Sequence, residues 1–373
     1  YGQMIADSLR VDAYERALAQ AIKPGSVVLD IGAGAGFFSM LACLMGADRV
    51  YAIEPGDAIH LARKIAASSG LSDRIEFIQD LSTRVTLART ADVIVSDLRG
   101  VLPLFKQNIS SIIDARRRLL SPGGTLIAER DLMWAAVVEA KELYDSLVQP
   151  WEKLDRIDMR AARRVVLNNC ARSRVDAEQL LTAPERWGEI DYATIEDPSF
   201  SNKIELEAGR RGSAHGFALW FDSVLAKDVF LTNAPGQPAL IYGNLFFPFL
   251  APVTVEAGDR IALDLKATMV GDNYLWQWTT EIKTESGIEK AAFNQSTFWG
   301  VPLSLAALHK REGGFRPAPN EEATALRLAL ALMDGETSLK EIARKVFDRV
   351  PSRFASFDDA LDYVSDLSIR YSL

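Results

Sequence analysis

The segment that most constrains the fold is an apolar run that leads directly into a glycine-rich turn. Val27–Ile31 is typical of a strand buried on both faces, and Gly32, Gly34 and Gly36 follow it at once. A helix is predicted over Phe37–Met45. Glycines let the backbone turn tightly and approach a ligand closely, and a helix start offers unpaired N–H donors. The segment therefore predicts a strand–turn–helix unit that binds a ligand.

The same alternation of strands and helices continues beyond this unit. Residues 1–21 have helical spacing, and the later elements are predicted at Val50–Ile53, Ile75–Gln79, Val93–Ser96 and Thr125–Ala128 for strands and at Ala58–Ser69 and Ile109–Leu120 for helices. Strands that alternate with helices pair in parallel through right-handed crossovers. We therefore predict a doubly wound α/β domain that binds its ligand at the carboxyl ends of its strands.

Two changes of pattern divide the rest of the chain. After about Ala135 the predicted strands follow one another without regular helices between them, at Val137–Glu139, Ala218–Phe221, Leu240–Phe247, Ile261–Thr268 and Leu275–Ile282. Beyond Pro317 three helices are predicted, at Ala323–Met333, Leu339–Phe347 and Asp358–Leu367. The sequence thus predicts an α/β domain over 1–134, a β-rich, barrel-like domain over 135–316 and a small helical domain over 317–373.

Composition narrows the classes of function. The net charge of −8 argues against a broad basic surface for nucleic acid, and no apolar run has the roughly 18 residues that cross a membrane. The two cysteines, Cys43 and Cys170, lie in apolar contexts of predicted helices and suit a reducing compartment. The histidines share no spacing typical of metal ligands. We expect a cytoplasmic protein without a metal, a nucleic-acid partner or a membrane.

Two acidic residues at strand ends indicate which ligand the turn holds. Asp30 ends the first strand, where its carboxylate can accept a hydrogen bond from a positively charged amino group. Glu54 ends the second strand and can accept from both hydroxyls of a ribose. A ribose acid also suits NAD, so Glu54 does not separate the two cofactors. Asp30 favours S-adenosylmethionine, which we predict as the cofactor.

The combination of several segments in one order resembles the protein arginine methyltransferase family over roughly residues 1–300. These segments are an N-terminal helix with Tyr1, Met4, Asp7, Arg10 and Tyr14, the glycine turn with Asp30 and Glu54, Leu119–Ile127, Ala214–Asp222 and Leu231–Pro235. The resemblance implies a class I methyltransferase domain followed by a β-barrel. It also implies that the cofactor is bound by Met4, Arg10, Asp30, Gly32, Gly34, Gly36, Glu54 and Ser82, with Arg10 on the cofactor carboxylate.

The acceptor positions depart from that family, which grips a guanidinium with two glutamates. Asp97 replaces the first glutamate, and Lys106 stands where the second belongs. The family's Thr-His-Trp loop reads Leu240-Ile241-Tyr242, and Thr83 stands where an acid reads the adenine. A guanidinium needs anionic partners, whereas Lys106 and Arg99 would favour an anion. We predict Asp97, Lys106 and Arg99 as the residues around the acceptor.

These changes leave three hypotheses for the function. The first is a methyltransferase that modifies an oxygen or nitrogen of a non-arginine acceptor, for example a carboxylate of a peptide or natural product. The second is an arginine methyltransferase with a rewired site, and the third is an inactive cofactor-binding scaffold. The segments Gly335–Ala343 and Asp358–Val364 are similar to the helices of small winged-helix peptide-binding domains. We therefore expect a peptide or small-molecule acceptor, and a homodimer is among the expected assemblies.

Overall fold

The computed structural model of the chain describes residues 1–152, 157–302 and 304–372. By its internal contacts the chain forms two compact units, Tyr1–Pro302 and Leu303–Leu373. In the described part of the chain, no helix is both long and apolar enough to span a bilayer. The division into three domains at 134 and 316 stays a prediction.

The first part of the larger unit is the predicted doubly wound α/β layer. Its helices are α1 (Gly2–Ala6), α2 (Ser8–Ala21), α3 (Phe37–Leu44), α4 (Ala58–Ser68) and α5 (Asn108–Arg118), and its strands are β1 (Val27–Ile31), β2 (Arg49–Ile53), β3 (Ile75–Ile78), β4 (Ala91–Ser96) and β5 (Leu120–Ile127). All neighbouring strands pair in parallel, in the order β3-β2-β1-β4-β5. The strand order reverses between β1 and β4, where such folds bind ligands. The predicted fold class is confirmed.

The second part of this unit contains two antiparallel sheets. Their strands are β6 (Arg130–Val138), β7 (Ala171–Ser173), β8 (Glu185–Asp191), β9 (Phe200–Glu207), β10 (Gly212–Ala226), β11 (Val229–Thr232), β12 (Asn244–Val255), β13 (Arg260–Val270), β14 (Asn273–Lys283) and β15 (Glu289–Ser296). One sheet has the order β7-β12-β10-β6-β8 with β11 added beside β10, and the other has the order β15-β14-β13-β9. Phe247 on β12 meets Trp278 on β14 edge to face at 5.0 Å, so the two sheets share an aromatic core.

The region is β-rich as predicted, but the expectation that it has no regular helices is wrong. Two helices lie there, α6 (Lys141–Glu152) and α7 (Arg160–Leu167). Leu143 and Leu147 on α6 pack on a cluster of buried side chains from the six-stranded sheet. Their four-residue spacing is the helical signal that the sequence carried. Cys170 was expected in a helix and lies beyond α7 instead.

The smaller unit is helical, as predicted. Its helices are α8 (Leu305–His309), α9 (Glu321–Ala331), α10 (Leu339–Arg349) and α11 (Phe357–Tyr371). Ser338 and Glu341 form a reciprocal capping box at the start of α10. Buried side chains of α9, α10 and α11 form a core of their own. Within residues 304–372 this unit has no strand, so the structure provides the helices of the resemblance but no wing.

Candidate active site

The turn after β1 depends on its glycines. Gly32, Gly34 and Gly36 have φ angles of +76°, +53° and +80°, which other residues rarely adopt. A Cβ on Gly32 would lie 2.2 Å from Leu98 Cδ2, and one on Gly34 would lie 2.3 Å from Tyr1 Cε1. Neighbouring side chains therefore contact this backbone directly, and α3 begins immediately after the turn.

The two acids predicted at strand ends flank this turn. Asp30 is buried and accepts a hydrogen bond from Ser39 Oγ at 2.6 Å. Burial raises the pKa of Asp30 to about 6, although the Ser39 hydrogen bond opposes the shift. Glu54 accepts from the backbone N–H of Gly34 at 3.0 Å and of Gly56 at 2.7 Å. Glu54 therefore also fixes the conformation of the turn.

Two adjoining cavities lie along the turn, and both are lined by Gly32. The smaller, of about 60 Å³, is lined by residues that include Met4, Arg10 and Asp30. The larger, of about 550 Å³, is lined by residues that include Glu54 and the buried Ser82. The structure thus brings together all the residues predicted to bind the cofactor, except that Gly34 and Gly36 shape the turn without lining either cavity.

These residues fit S-adenosylmethionine. A close-packed glycine turn at a helix start suits a nucleoside, and Glu54 lines the larger cavity where a ribose acid is expected. Asp30 is a buried carboxylate that forms no ion pair within the described residues, and this burial raises its pKa. An ammonium group beside it would supply a cationic partner.

Arg10 has a partner that the resemblance did not imply. Its Nε donates to Asp97 Oδ2 at 2.6 Å, and its Nη2 lies 2.5 Å from the same oxygen. The Tyr242 hydroxyl accepts from Arg10 Nε at 3.1 Å and donates to Asp97, whose two oxygens lie at 2.9 and 2.8 Å. Burial and the nearby Asp97 carboxylate raise the pKa of Tyr242 well above its usual value, so Tyr242 remains a donor. Asp97 is therefore already bound by side chains of this chain.

Arg99 extends this arrangement into the interior. Its Nη1 lies 3.1 Å from Asp131 Oδ1 and donates to Ser223 Oγ at 2.7 Å, while its Nε lies 3.5 Å from Asp97 Oδ1. Tyr192 donates to the other oxygen of Asp131 at 2.5 Å. We call Arg10, Asp97, Arg99 and Asp131 the buried charge cluster; the exposed fractions of their side chains are 5%, 4%, 2% and 0%. The predicted contact of Arg99 with an acceptor stays a prediction, and its observed contacts are structural.

A third cavity, of about 660 Å³, adjoins the first two, and we call it the acceptor cleft. It shares Met4 with the smaller cavity and Phe105 and Lys106 with the larger one. Lys106 is exposed, and its ammonium lies 5.4 Å from the centroid of the Phe105 ring. Among the described residues, the lining includes three cationic side chains, Arg99, Lys106 and Arg172, and no aspartate or glutamate.

The loop before β12 connects the two parts of this unit. Asp7 Oδ1 accepts from the backbone N–H of Arg10 and so caps α2, while its Oδ2 accepts from the backbone N–H of Ile241 at 2.7 Å. Tyr242, the next residue, joins the buried charge cluster. The N-terminal helices therefore hold both Asp97 and the loop that borders the acceptor cleft.

Comparisons with known proteins agree with this architecture. Residues 22–171 match the profile described as a methyltransferase domain, and residues 129–275 match the arginine methyltransferase oligomerization subdomain. The probable protein arginine N-methyltransferase 6 of Arabidopsis thaliana is 31% identical over 229 residues, which span 59% of this chain and 53% of that protein. Protein arginine N-methyltransferase 1 of Schizosaccharomyces pombe is 28% identical over 267 residues, which span 69% of this chain and 78% of that protein.

Solved structures show the same fold. The Trypanosoma brucei PRMT1 enzyme–prozyme heterotetrameric complex with AdoHcy superposes with a TM-score of 0.72 at 22% identity, over 79% of this chain and 96% of that one. Arabidopsis thaliana protein arginine methyltransferase 10 superposes with a TM-score of 0.71 at 24% identity, over the same shares. In sequence and fold the chain is similar to the arginine methyltransferases, and residues 22–171 form a methyltransferase domain of the class I fold. This confirms the family resemblance, and S-adenosylmethionine is the methyl donor of that class.

Compared with the family that the chain resembles, the site differs where the acceptor enters. The cofactor positions carry the expected residues, whereas Asp97 is held by two arginines and Lys106 replaces an acid. The sequence does not predict Asp131, Tyr192 and Ser223 as members of the site, because no local sequence pattern identifies a residue whose partner lies on another strand. Asp131 and Ser223 are direct partners on β6 and β10, a relation that only the strand register reveals.

Proposed function

We propose that this chain transfers the methyl group of S-adenosylmethionine to an oxygen or nitrogen of an acceptor other than arginine. One observation supports the choice of acceptor: no carboxylate lines the described part of the acceptor cleft, and the nearby Asp97 is bound by Arg10, Arg99 and Tyr242. A desolvated guanidinium requires anionic partners, and the unpaired cations Lys106 and Arg172 of the lining would repel it.

The chain's own residues position the reactants. When bound, the cofactor supplies a methyl group activated by a sulfonium, so the protein must align the acceptor and exclude water. Asp30, Glu54 and the glycine turn hold the cofactor. Met4 and Phe105 line both the acceptor cleft and a cofactor cavity, so they lie at the boundary where the two reactants meet.

Arginine N-methylation is the second candidate, and the printed names of the relatives favour it. It would require Asp97 to leave Arg10, Arg99 and Tyr242 for the guanidinium of the acceptor. It would also require a second carboxylate beside the guanidinium, which the described lining of the cleft does not supply. Kinship thus favours the second candidate, and the charges of the cleft favour the first.

Mass spectrometry with isotopically labelled S-adenosylmethionine separates the candidates. The purified chain is incubated with arginine-containing peptides, acidic peptides and small carboxylic acids. We expect label on a non-arginine acceptor. Efficient labelling of arginine would establish the second candidate and exclude the first. Binding of S-adenosylhomocysteine without transfer to any acceptor would favour the inactive scaffold.

A further inference from the structure

We propose that the acceptor is a carboxylate carried on an apolar body, and that Arg172 and Lys106 bind the carboxylate. The inference rests on the proposed function and adds the class of substrate and a specificity-determining residue, Arg172. It follows from the charges, the lining and the chemistry of the acceptor cleft.

Two cations of the cleft are available for an anion. Lys106 and Arg172 are both exposed side chains of the lining, and neither forms an ion pair with any residue in the described ranges. Arg172 Nη2 donates to the backbone oxygen of Ile241, which holds the guanidinium at the wall of the cleft and leaves its other N–H groups free to bind. An anion at this position would meet two positive charges and no competing carboxylate.

The third cation of the lining is already compensated. Arg99 is buried, its Nη1 lies 3.1 Å from Asp131 Oδ1 and donates to Ser223 Oγ, and its Nε lies 3.5 Å from Asp97 Oδ1. Lys106 and Arg172 are therefore the two cations of the lining that are left to pair with an incoming anion.

The rest of the lining suits an apolar body. Apolar and aromatic side chains form most of the wall, and they include Leu102, Leu104, Phe105, Leu245, Tyr274 and Trp276. The volume of about 660 Å³ lies within the usual range for small-molecule sites, roughly 300–1,000 Å³. An acceptor with a charged end and an apolar body therefore matches both components of the cleft.

The chemistry of a carboxylate also matches the site. A carboxylate oxygen donates its lone pair to the methyl carbon, so an O–CH₃ bond forms while the S–CH₃ bond breaks, and S-adenosylhomocysteine leaves as the neutral thioether. The negative charge of the acceptor and the positive charge of the sulfonium cancel, and no proton is removed. No general base is needed, which agrees with a site where Asp97 is already occupied by hydrogen bonds.

Three probes with one phenyl body test the inference by binding alone. They are 3-phenylpropanoate, the neutral 3-phenylpropanamide and the cationic 2-phenylethylguanidinium, each titrated against the full chain saturated with S-adenosylhomocysteine and followed by ligand-observed NMR. The variants are Arg172→Gln and Lys106→Gln. The matched control is Arg164→Gln, because Arg164 is an exposed arginine on α7 that lines none of the three cavities.

We expect the unmodified chain to bind the carboxylate about tenfold more tightly than the amide, because a hydrogen bond to a charged group changes the binding constant by about this factor. Arg172→Gln and Lys106→Gln should each reduce that ratio severalfold, and Arg164→Gln should leave it unchanged. Equal binding of the carboxylate and the amide would overturn the inference, as would preference for the guanidinium or a ratio that neither variant alters. Loss of S-adenosylhomocysteine binding would contradict the proposed function instead, so the two failures are distinguishable.

Discussion

Glu54 has two tasks in this fold, because its carboxylate faces the larger cofactor cavity and also accepts from the N–H groups of Gly34 and Gly56. We expect Glu54→Ala to weaken S-adenosylhomocysteine binding by roughly 1–3 kcal/mol, the range for a hydrogen bond to a charged group. Isothermal titration calorimetry measures the loss. Glu76→Ala is the control, since Glu76 is an exposed carboxylate on β3 that pairs with Arg49. Unchanged affinity in Glu54→Ala would contradict the role assigned to Glu54.

Asp30 makes cofactor affinity depend on pH. Burial raises the pKa of Asp30 from 3.8 to about 6, so the folded protein binds the carboxyl proton more tightly than the unfolded chain does. The stability that this proton contributes to the folded state is fully present below pH 3.8 and is lost as the pH rises through about 6. A cationic amino group of the ligand reverses this preference and stabilises the ionised form. Binding below pH 6 must therefore expel a proton, and we expect the affinity to fall about tenfold for each pH unit below that point.

Calorimetry measures how many protons are released when S-adenosylhomocysteine binds. The titrations are run between pH 5 and pH 8 in buffers of different ionisation enthalpy. Asp30→Asn keeps an acceptor for Ser39 Oγ but does not titrate, so its affinity should be lower and flat over this range. A pH profile in the variant equal to that of the parent would show that another group titrates.

At the scale of elements, the loop between β4 and α5 determines the charge that the acceptor meets. Lys106 occupies the left-handed region at φ +45°, and a glutamate there is under no more strain than the lysine. We expect Lys106→Glu to weaken binding of 3-phenylpropanoate and to strengthen binding of 2-phenylethylguanidinium, each severalfold, because the sign of one charge in the cleft is reversed. Lys64→Glu is the control, because Lys64 is an exposed lysine on α4 outside all three cavities. Identical probe affinities in Lys106→Glu and the parent would place Lys106 outside the acceptor site.

Local patterns predicted the elements that carry the cofactor. Asp30 and Glu54 lie at the ends of short apolar runs, so both the strands and the acids at their ends can be predicted from the sequence. The sequence pattern did not predict helices α6 and α7, because the apolar runs of the strands on either side of them are the stronger signal. The partner of Arg10 was also unpredictable. The sequence places Arg10 and Asp97 on separate elements, and only the packed structure brings their side chains within 2.5 Å.

At the scale of the whole molecule, the chain should separate into two pieces. The segment 311–320 is mostly exposed and has no helix or strand, and it contains Arg311 and Arg316. We expect limited trypsin digestion to release the C-terminal helices α9–α11 as an intact fragment, because such a segment can enter a protease site without unfolding a core. Intact-mass measurement identifies the cut. Cleavage elsewhere while this segment survives would count against a separable helical unit.

The buried charge cluster contains two positive and two negative side chains, so it is electrically neutral as a set. Removal of one member leaves an uncompensated charge in the interior, at a cost of about 3–5 kcal/mol. A lineage that changes Asp97 by itself would therefore pass through a poorly folded protein. Over evolutionary time these four positions should change in pairs of opposite sign or remain fixed together, which makes the acceptor preference of such a protein difficult to alter by single steps.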